Sequence, residues 1–494
     1  MATDTLAQAA RVEVPGGLVT TVQLPAGAAG RRRFLQALQT SLGAQLTLGS
    51  LPLVLGDDVF VVPRALEEPL RRAPSLASDA HWEARLRSWG AVSVNVITSS
   101  ALFALVRRGH VMQGPVSAGP AKVSLTGSGQ QPAALPAAAT STLPGAFRGP
   151  FDWHLDSGGA NVVAAWEMFS STPLFQGALP WAGVRVGHVD TGYTEHAALG
   201  WSQGTSSTVD VARGHDFFDG DADPRDALLP GHPGHGTRTS ASISGFLVNP
   251  AIQPYYGSAP GAGIVPYRVT DSVMIDHVTA NVARAIERAV DDGCLVINIC
   301  LGALFHRSAL ARALDRAYEQ GVITVCAAGN LWGEVIYPGR YNRCITMGGI
   351  GPGMKPWAGS ARGQYVDLCA PADRIRRVKV EALPPGTAAT QIEPRPDGDG
   401  TSYATALTSG IAALWLAWHG ADHLRAHYQT HGLWQIPTAF KALLRQSAVV
   451  PSGWDVANCG SGVVNAAALL ALPLPADGAL LQALPAADVF DPHD

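Results

Sequence analysis

Asp190 closes the apolar run Val184-Arg185-Val186-Gly187-His188-Val189, which reads as a buried strand. His235 and Ser402 each follow a glycine-containing turn and open a stretch that reads as a helix. For Ser402 that stretch is Tyr403 to Trp418, rich in Ala and Leu. An acid at a strand's carboxyl end, with a base and a nucleophile at helix amino ends, is the layout of an open α/β sheet, where distant segments converge beyond the strand ends. The three residue types are also chemically complementary. A serine hydroxyl is a poor nucleophile at neutral pH until an imidazole takes its proton, and the imidazole needs a carboxylate to hold its tautomer. Each short string, Asp190-Thr191-Gly192, His235-Gly236-Thr237 or Gly400-Thr401-Ser402, is weak alone; order and placement carry the reading.

With these blocks in the order acid, base, nucleophile, the chain resembles the subtilisin-like serine proteases, the subtilases. Ala327-Ala328-Gly329-Asn330, closing the apolar strand Val322 to Cys326, looks like the family's oxyanion-hole block. Further likeness lies in Trp153-His154-Leu155-Asp156 through Ala165-Trp166, in Asn298-Ile299-Cys300-Leu301-Gly302, and in Gly460-Ser461-Gly462-Val463-Val464-Asn465-Ala466. The resemblance implies an α/β, three-layer subtilisin-like fold with a mostly parallel central sheet over residues 150–475. It implies a serine endopeptidase in which Ser402 attacks a peptide carbonyl, His235 moves the proton and Asp190 orients His235. Asn330 and the Ser402 N–H would receive the oxyanion, and no cofactor is required for the chemistry. An extended peptide or protein substrate would add as a strand beside Cys300, Leu301 and Gly302. Ile336, just before Tyr337-Pro338-Gly339, would form the base of the specificity pocket and offers no charge. A preference for small or medium apolar residues before the scissile bond follows.

Several positions depart from the family pattern. Arg238 stands where a second histidine is usual, Ala406 where proline is usual, and Cys300 where serine is usual. None is a triad atom. They leave open an alternative, a catalytically inactive protein-binding module on the same scaffold. Cys300 on its apolar strand reads as a small buried hydrophobe. His188 and His232 read as structural or solvent-facing.

Between the acid and the base, residues 216–226 crowd five aspartates into eleven positions. Hard cations take oxygen ligands of this kind, so Asp219, Asp221 and Asp223 are candidates for a structural calcium. The spacing is not that of an EF-hand, and a solvated acidic loop is the other reading.

The 494 residues suffice for two or three domains. At 15% charged, 47% hydrophobic and a net charge of −4, the composition calls for neither nucleic acid nor a membrane surface as a partner. Six cysteines, with no CxxC pair and no zinc spacing, read as unpaired buried thiols and favour a reducing compartment, although their even number leaves disulfides open. No secretory signal or membrane-spanning run is visible, so a cytoplasmic setting is expected, with export by another route left open.

Residues 1–112 read as a small α+β domain: strands at 19–24, 51–62 and 92–98, and helices at 31–42 and 78–89. Residues 113–149, dense in Ala, Pro, Gly, Ser and Thr, read as a linker, and 476–494 as a C-terminal tail. The resemblance offers the N-terminal domain as an intramolecular inhibitor of the prodomain kind; a recognition or oligomerisation module that stays attached is the other reading.

Overall fold

The computed structural model describes most of residues 153–487, leaving aside 247–254, 381–391 and shorter stretches, together with four strands nearer the amino terminus. The chain divides into two units, residues 1–121 with 491–494, and residues 122–490. In the first, β1 (Leu18–Gln23), β2 (Leu53–Val54), β3 (Val59–Pro63) and β4 (Ser93–Thr98) form one antiparallel sheet in the order β2-β3-β1-β4. Its strands fall in the three expected runs, the middle run folding as the hairpin β2–β3. The helices expected at 31–42 and 78–89 and the linker at 113–149 lie outside the described residues.

In the second unit a sheet of eight strands runs through β5 (Arg185–Asp190), β6 (His215–Asp216), β7 (Gly263–Arg268), β8 (Val296–Ile299), β9 (Ile323–Ala327), β10 (Ile345–Gly351), β11 (Lys355–Pro356) and β12 (Leu368–Pro371). Its order is β11-β10-β9-β8-β5-β7-β6, with β12 also on β10, and every pairing but β10–β11 is parallel. Alternate side chains of a strand leave on opposite faces, and here both faces are apolar. Val186, Ile264, Val296, Ile323, Val325 and Met347 enter one core; Val265, Tyr267, Ile297, Ile299 and Cys326 enter the other.

Helices cover both faces. On one side lie α3 (Thr279–Asp291) and α4 (Ser308–Glu319), whose apolar stripes, Val282-Ala285-Ile286-Ala289 and Leu310-Ala313-Leu314-Ala317, recur at helical spacing. On the other lie α1 (Val162–Ser170), α2 (His235–Ser244), α5 (Thr401–His419), α6 (Gln435–Gln446) and α7 (Ala466–Leu470). From Thr401 to Leu416 every residue of α5 is buried, so that helix runs through the core instead of lying on it. The segment from 476 is bonded to the domain: Gln435 donates to the Asp477 carboxylate at 2.7 Å and accepts from Gly478 N–H at 2.9 Å.

The parallel register fixes where chemistry can gather. Asp190, last in β5, pairs with Arg268 at the end of β7, and Val189 with Ile299 at the end of β8. The carboxyl ends of the central strands therefore coincide at the amino ends of α2 and α5.

Candidate active site

Asp190 is fully buried, and its Oδ1 accepts from the Thr191 N–H and meets His235 Nδ1, each at 2.7 Å. His235 opens α2, and its Nε2 lies 3.3 Å from Ser402 Oγ in the first turn of α5. Three residues drawn from 213 positions of sequence thus form one hydrogen-bonded chain. Burial pushes the Asp190 carboxyl up; the facing His235 and the Thr191 N–H outweigh it and hold the group below the ordinary carboxylate value. Asp190 is therefore ionised where a protein works, and its charge fixes the proton of neutral His235 on Nδ1, leaving Nε2 to accept from the serine.

Glycines make the convergence possible. A side chain on Gly236 would put its Cβ 2.1 Å from the Gly192 carbonyl oxygen, so the start of α2 can rest on the Asp190-Thr191-Gly192 turn only because Gly236 is bare; Gly192, at φ 98°, is bare against the Pro224 carbonyl instead. Gly400, at φ 144°, gives α5 an entry that other residues rarely adopt.

The remaining predicted residues fall around the serine. Asn330 Oδ1 accepts from the Thr401 N–H and from Thr401 Oγ1, both at 2.8 Å. That fixes which end of the amide is oxygen and leaves Nδ2 as the free donor end, 3.4 Å from where a Cβ on Gly400 would stand. The Ser402 N–H belongs to the first turn of α5, where no intrahelical acceptor exists. An anion at the start of α5 would meet the Ser402 N–H and the favourable end of the helix dipole.

Cys300 is buried as expected, but its thiol is more than filler. It donates to the Ser402 carbonyl at 3.2 Å and receives the Asn298 amide at 3.1 Å, and burial pushes its pKa well up, keeping it a protonated donor. The Cys300 carbonyl oxygen also lies 3.3 Å from Ser402 Oγ, a second acceptor for the one hydroxyl proton that His235 Nε2 can take. A Cβ on Gly302 would lie 2.0 Å from Ile336 Cδ1, so Ile336 packs against bare backbone there. Cys300 therefore borders Ser402, and Ile336 borders Gly302, two residues further along the chain. Arg238 donates to the Pro233 carbonyl at 2.7 Å, and Ala406 is buried inside α5.

Three supporting side chains escape a reading of short motifs. Asp226 accepts from Thr191 Oγ1 at 2.7 Å and from Gly234 N–H at 2.8 Å, while Thr191 Oγ1 accepts from Gly236 N–H at 3.0 Å. These bonds tie the acid's turn to the base's helix. Thr239 Oγ1 lies 3.4 Å from Asp190 Oδ2, the oxygen that His235 does not use, and 3.0 Å from His188 Nε2. His188 is thus a buried partner of the site's floor and not solvent-facing; burial lowers its pKa and the nearby Asp190 opposes that only in part.

The acidic loop is organised around arginine. Buried Arg268 binds Asp216 at 2.5 Å and Asp219 at 2.6 Å, Arg225 grips Asp223 at 2.6 Å, and Asp221 Oδ1 caps the Asp223 N–H at 2.9 Å. Two of the three calcium candidates, Asp219 and Asp223, are therefore committed to cations of the chain itself. Among the described residues, no group of three or more His, Cys, Asp or Glu side chains is placed to hold a metal ion.

Residues 182–465 match the model of the Subtilase family, more than half of the chain. Thermitase of Thermoactinomyces vulgaris is 32% identical over 249 residues, which are 50% of this chain and 79% of that protein. Subtilisin Savinase of Lederbergia lenta is 28% identical over 234 residues, 47% and 76% of the two chains. A solved protease from Pseudoalteromonas arctica PAMC 21717 superposes with a TM-score of 0.51 at 22% identity, covering 65% of this chain and 96% of that one, and speaks for the fold alone. A parallel sheet between helix layers, a family match over most of the second unit and a relative matched along four-fifths of its length agree: this chain belongs to the subtilases and is a serine endopeptidase acting on peptide or protein substrates.

Proposed function

We propose that Ser402 is the nucleophile, His235 the general base and then acid, Asp190 its orienting carboxylate, and Asn330 Nδ2 with the Ser402 N–H the oxyanion donors. One observation carries this: the unbroken chain Asp190 Oδ1 to His235 Nδ1 at 2.7 Å and His235 Nε2 to Ser402 Oγ at 3.3 Å. Ser402 Oγ adds to the peptide carbonyl as its proton passes to Nε2. The C–N bond breaks as that proton reaches the leaving amine, giving an acyl-enzyme and a free amino end. Water, deprotonated by His235, then releases the acid and restores the serine. Nucleophile, base and anion donors all come from the chain, so the chemistry needs no cofactor. Hydrolysis of a peptide substrate by wild type and by Ser402→Ala tests the assignment; an unchanged rate in the variant overturns it.

Ile336, uncharged and pressed on Gly302, supports a shallow apolar pocket and a preference for small or medium apolar residues before the scissile bond. A cleavage profile dominated there by Arg, Lys, Asp or Glu counts against it. The N-terminal unit, by position and size, suits an intramolecular inhibitor. Faster hydrolysis after its removal would be the sign, and an unchanged rate would favour an attached module. Six free, buried thiols support a reducing, cytoplasmic setting. Among the described residues, no helix is long and apolar enough to cross a membrane.

A further inference from the structure

The strand beside the nucleophile has one edge on which a peptide could lie, and that edge is partly taken. Successive residues of an extended chain present their N–H and C=O groups to opposite sides. On one side, Ala303 exchanges both bonds with Tyr337, at 2.7 and 2.9 Å. On the other side, the side of Ser402, stand the groups of Cys300 and, two residues on, of Gly302. The Cys300 carbonyl faces Ser402 Oγ at 3.3 Å. Both Gly302 groups, however, are bonded within the chain: its N–H donates to the Val273 carbonyl and its carbonyl accepts from the Ile275 N–H, each at 2.9 Å.

The segment that takes them is built in. Ile275 is fully buried in the core under α3, and Met274 is buried as well. The Asp276 carboxylate accepts the Leu304 N–H at 2.9 Å, and Arg307 donates to the Asp276 carbonyl at 3.1 Å. Leu304 and Arg307 follow directly on the Cys300–Gly302 strand, so the segment is clamped to the strand it covers.

From this we infer that Val273–Asp276 is a fixed strap that closes the substrate edge at Gly302 and limits backbone pairing on the acyl side to the Cys300 carbonyl. The inference rests on Ser402 as nucleophile. A peptide laid antiparallel along this strand uses Cys300 for the residue next to the scissile bond and would need Gly302 for the residue two places upstream. With the strap in place that second pairing is absent. The residues recognised on the acyl side are then the first one or two, read by side chain against Ile336, and longer acyl segments add little.

The test uses the full chain and peptide anilides with acyl parts of two, three and four residues, the residue before the anilide held constant. Wild type is expected to change kcat/KM less than about 2-fold from two residues to four, where a free edge offering two more hydrogen bonds gives about 10-fold or more. A steep rise in wild type overturns the strap. Asp276→Ala, which removes the clamp on Leu304, is expected to gain length dependence; flat profiles in both proteins place the limit elsewhere and also overturn it. In wild type carrying a tetrapeptide phosphonate on Ser402, the Ile275 and Gly302 amides are expected to stay protected from hydrogen exchange, and loss of that protection contradicts a fixed strap without recourse to a variant. Phosphonate labelling keeps the two readings apart: no label on Ser402 fails the nucleophile assignment, whereas labelling with steep length dependence fails only the strap.

Discussion

Thr239 Oγ1 stands 3.4 Å from Asp190 Oδ2 on the side of the carboxylate turned away from His235. The same hydroxyl is 3.0 Å from His188 Nε2, so the Asp190 carboxylate lies between His235 and, through Thr239, a second buried imidazole. Thr239 belongs to the same helix as His235, one turn on, and follows any movement of that helix. Substituting Thr239→Val, which keeps shape and removes the hydroxyl, should lower kcat about 3- to 10-fold with KM little changed. Thr239→Ser should restore most of the loss. Equal kcat in wild type and the valine variant would reduce Thr239 to packing.

Asn330 is locked by Thr401, with its amide nitrogen left as donor. Asn330→Ala should cost about 10²–10³ in kcat with a small effect on KM, because the bond it makes strengthens only as charge develops on the carbonyl oxygen. Steady-state kinetics on one anilide substrate decide it; a loss confined to KM would place Asn330 in ground-state binding instead.

His196 accepts the Ala198 N–H on Nδ1 at 3.0 Å, and burial pushes its pKa down to about 4 from 6.5. The unfolded chain therefore takes up this proton first as pH falls. Stability is unaffected above about pH 6.5, declines from there to about pH 4 and is level below, for a total of about 3 kcal/mol from this one group. Thermal melts across that range should show the decline, and His196→Asn, which keeps an acceptor without the titration, should flatten it. Parallel curves for the two proteins would assign the acid sensitivity to other groups.

Arg268 is buried between Asp216 and Asp219. Arg268→Met strands the buried Asp216 carboxylate and should destabilise the protein by about 3–5 kcal/mol, seen as a lowered Tm. With the loop's charge met by arginine, a chelator should leave the wild-type Tm unchanged. A chelator-dependent Tm would return the acidic loop to consideration as a calcium site.

What the sequence displayed and what it hid divide along one physical line. Asp190, His235, Asn330 and Ser402 each lie at the junction of an apolar run and a turn, and such junctions are local, so their placement near strand and helix ends could be read from the sequence. The buried parallel strands were legible for the same reason. Asp226, Thr239 and His188 are tied to the site by contacts across 35 to 51 positions of chain, and nothing near them in sequence marks those contacts. The arginine partner of the acidic run was not legible, because Arg268 sits some fifty residues on, at the end of β7. The covering of Gly302 by Val273–Ile275 was likewise invisible, since the 300–302 strand shows its edge in sequence and not what lies along it.

The most direct measurement is intact-mass analysis after reaction with a serine-directed fluorophosphonate, run beside hydrolysis of a peptide anilide. Wild type should gain one phosphonyl adduct, mapped by peptide fragmentation to Ser402, and lose its hydrolysis in step with labelling. Ser402→Ala should take no label and fall about 10⁶-fold in kcat. Hydrolysis that survives complete labelling, or a Ser402→Ala variant that cleaves as fast as wild type, would contradict the assignment of Ser402, His235 and Asp190 as the working site.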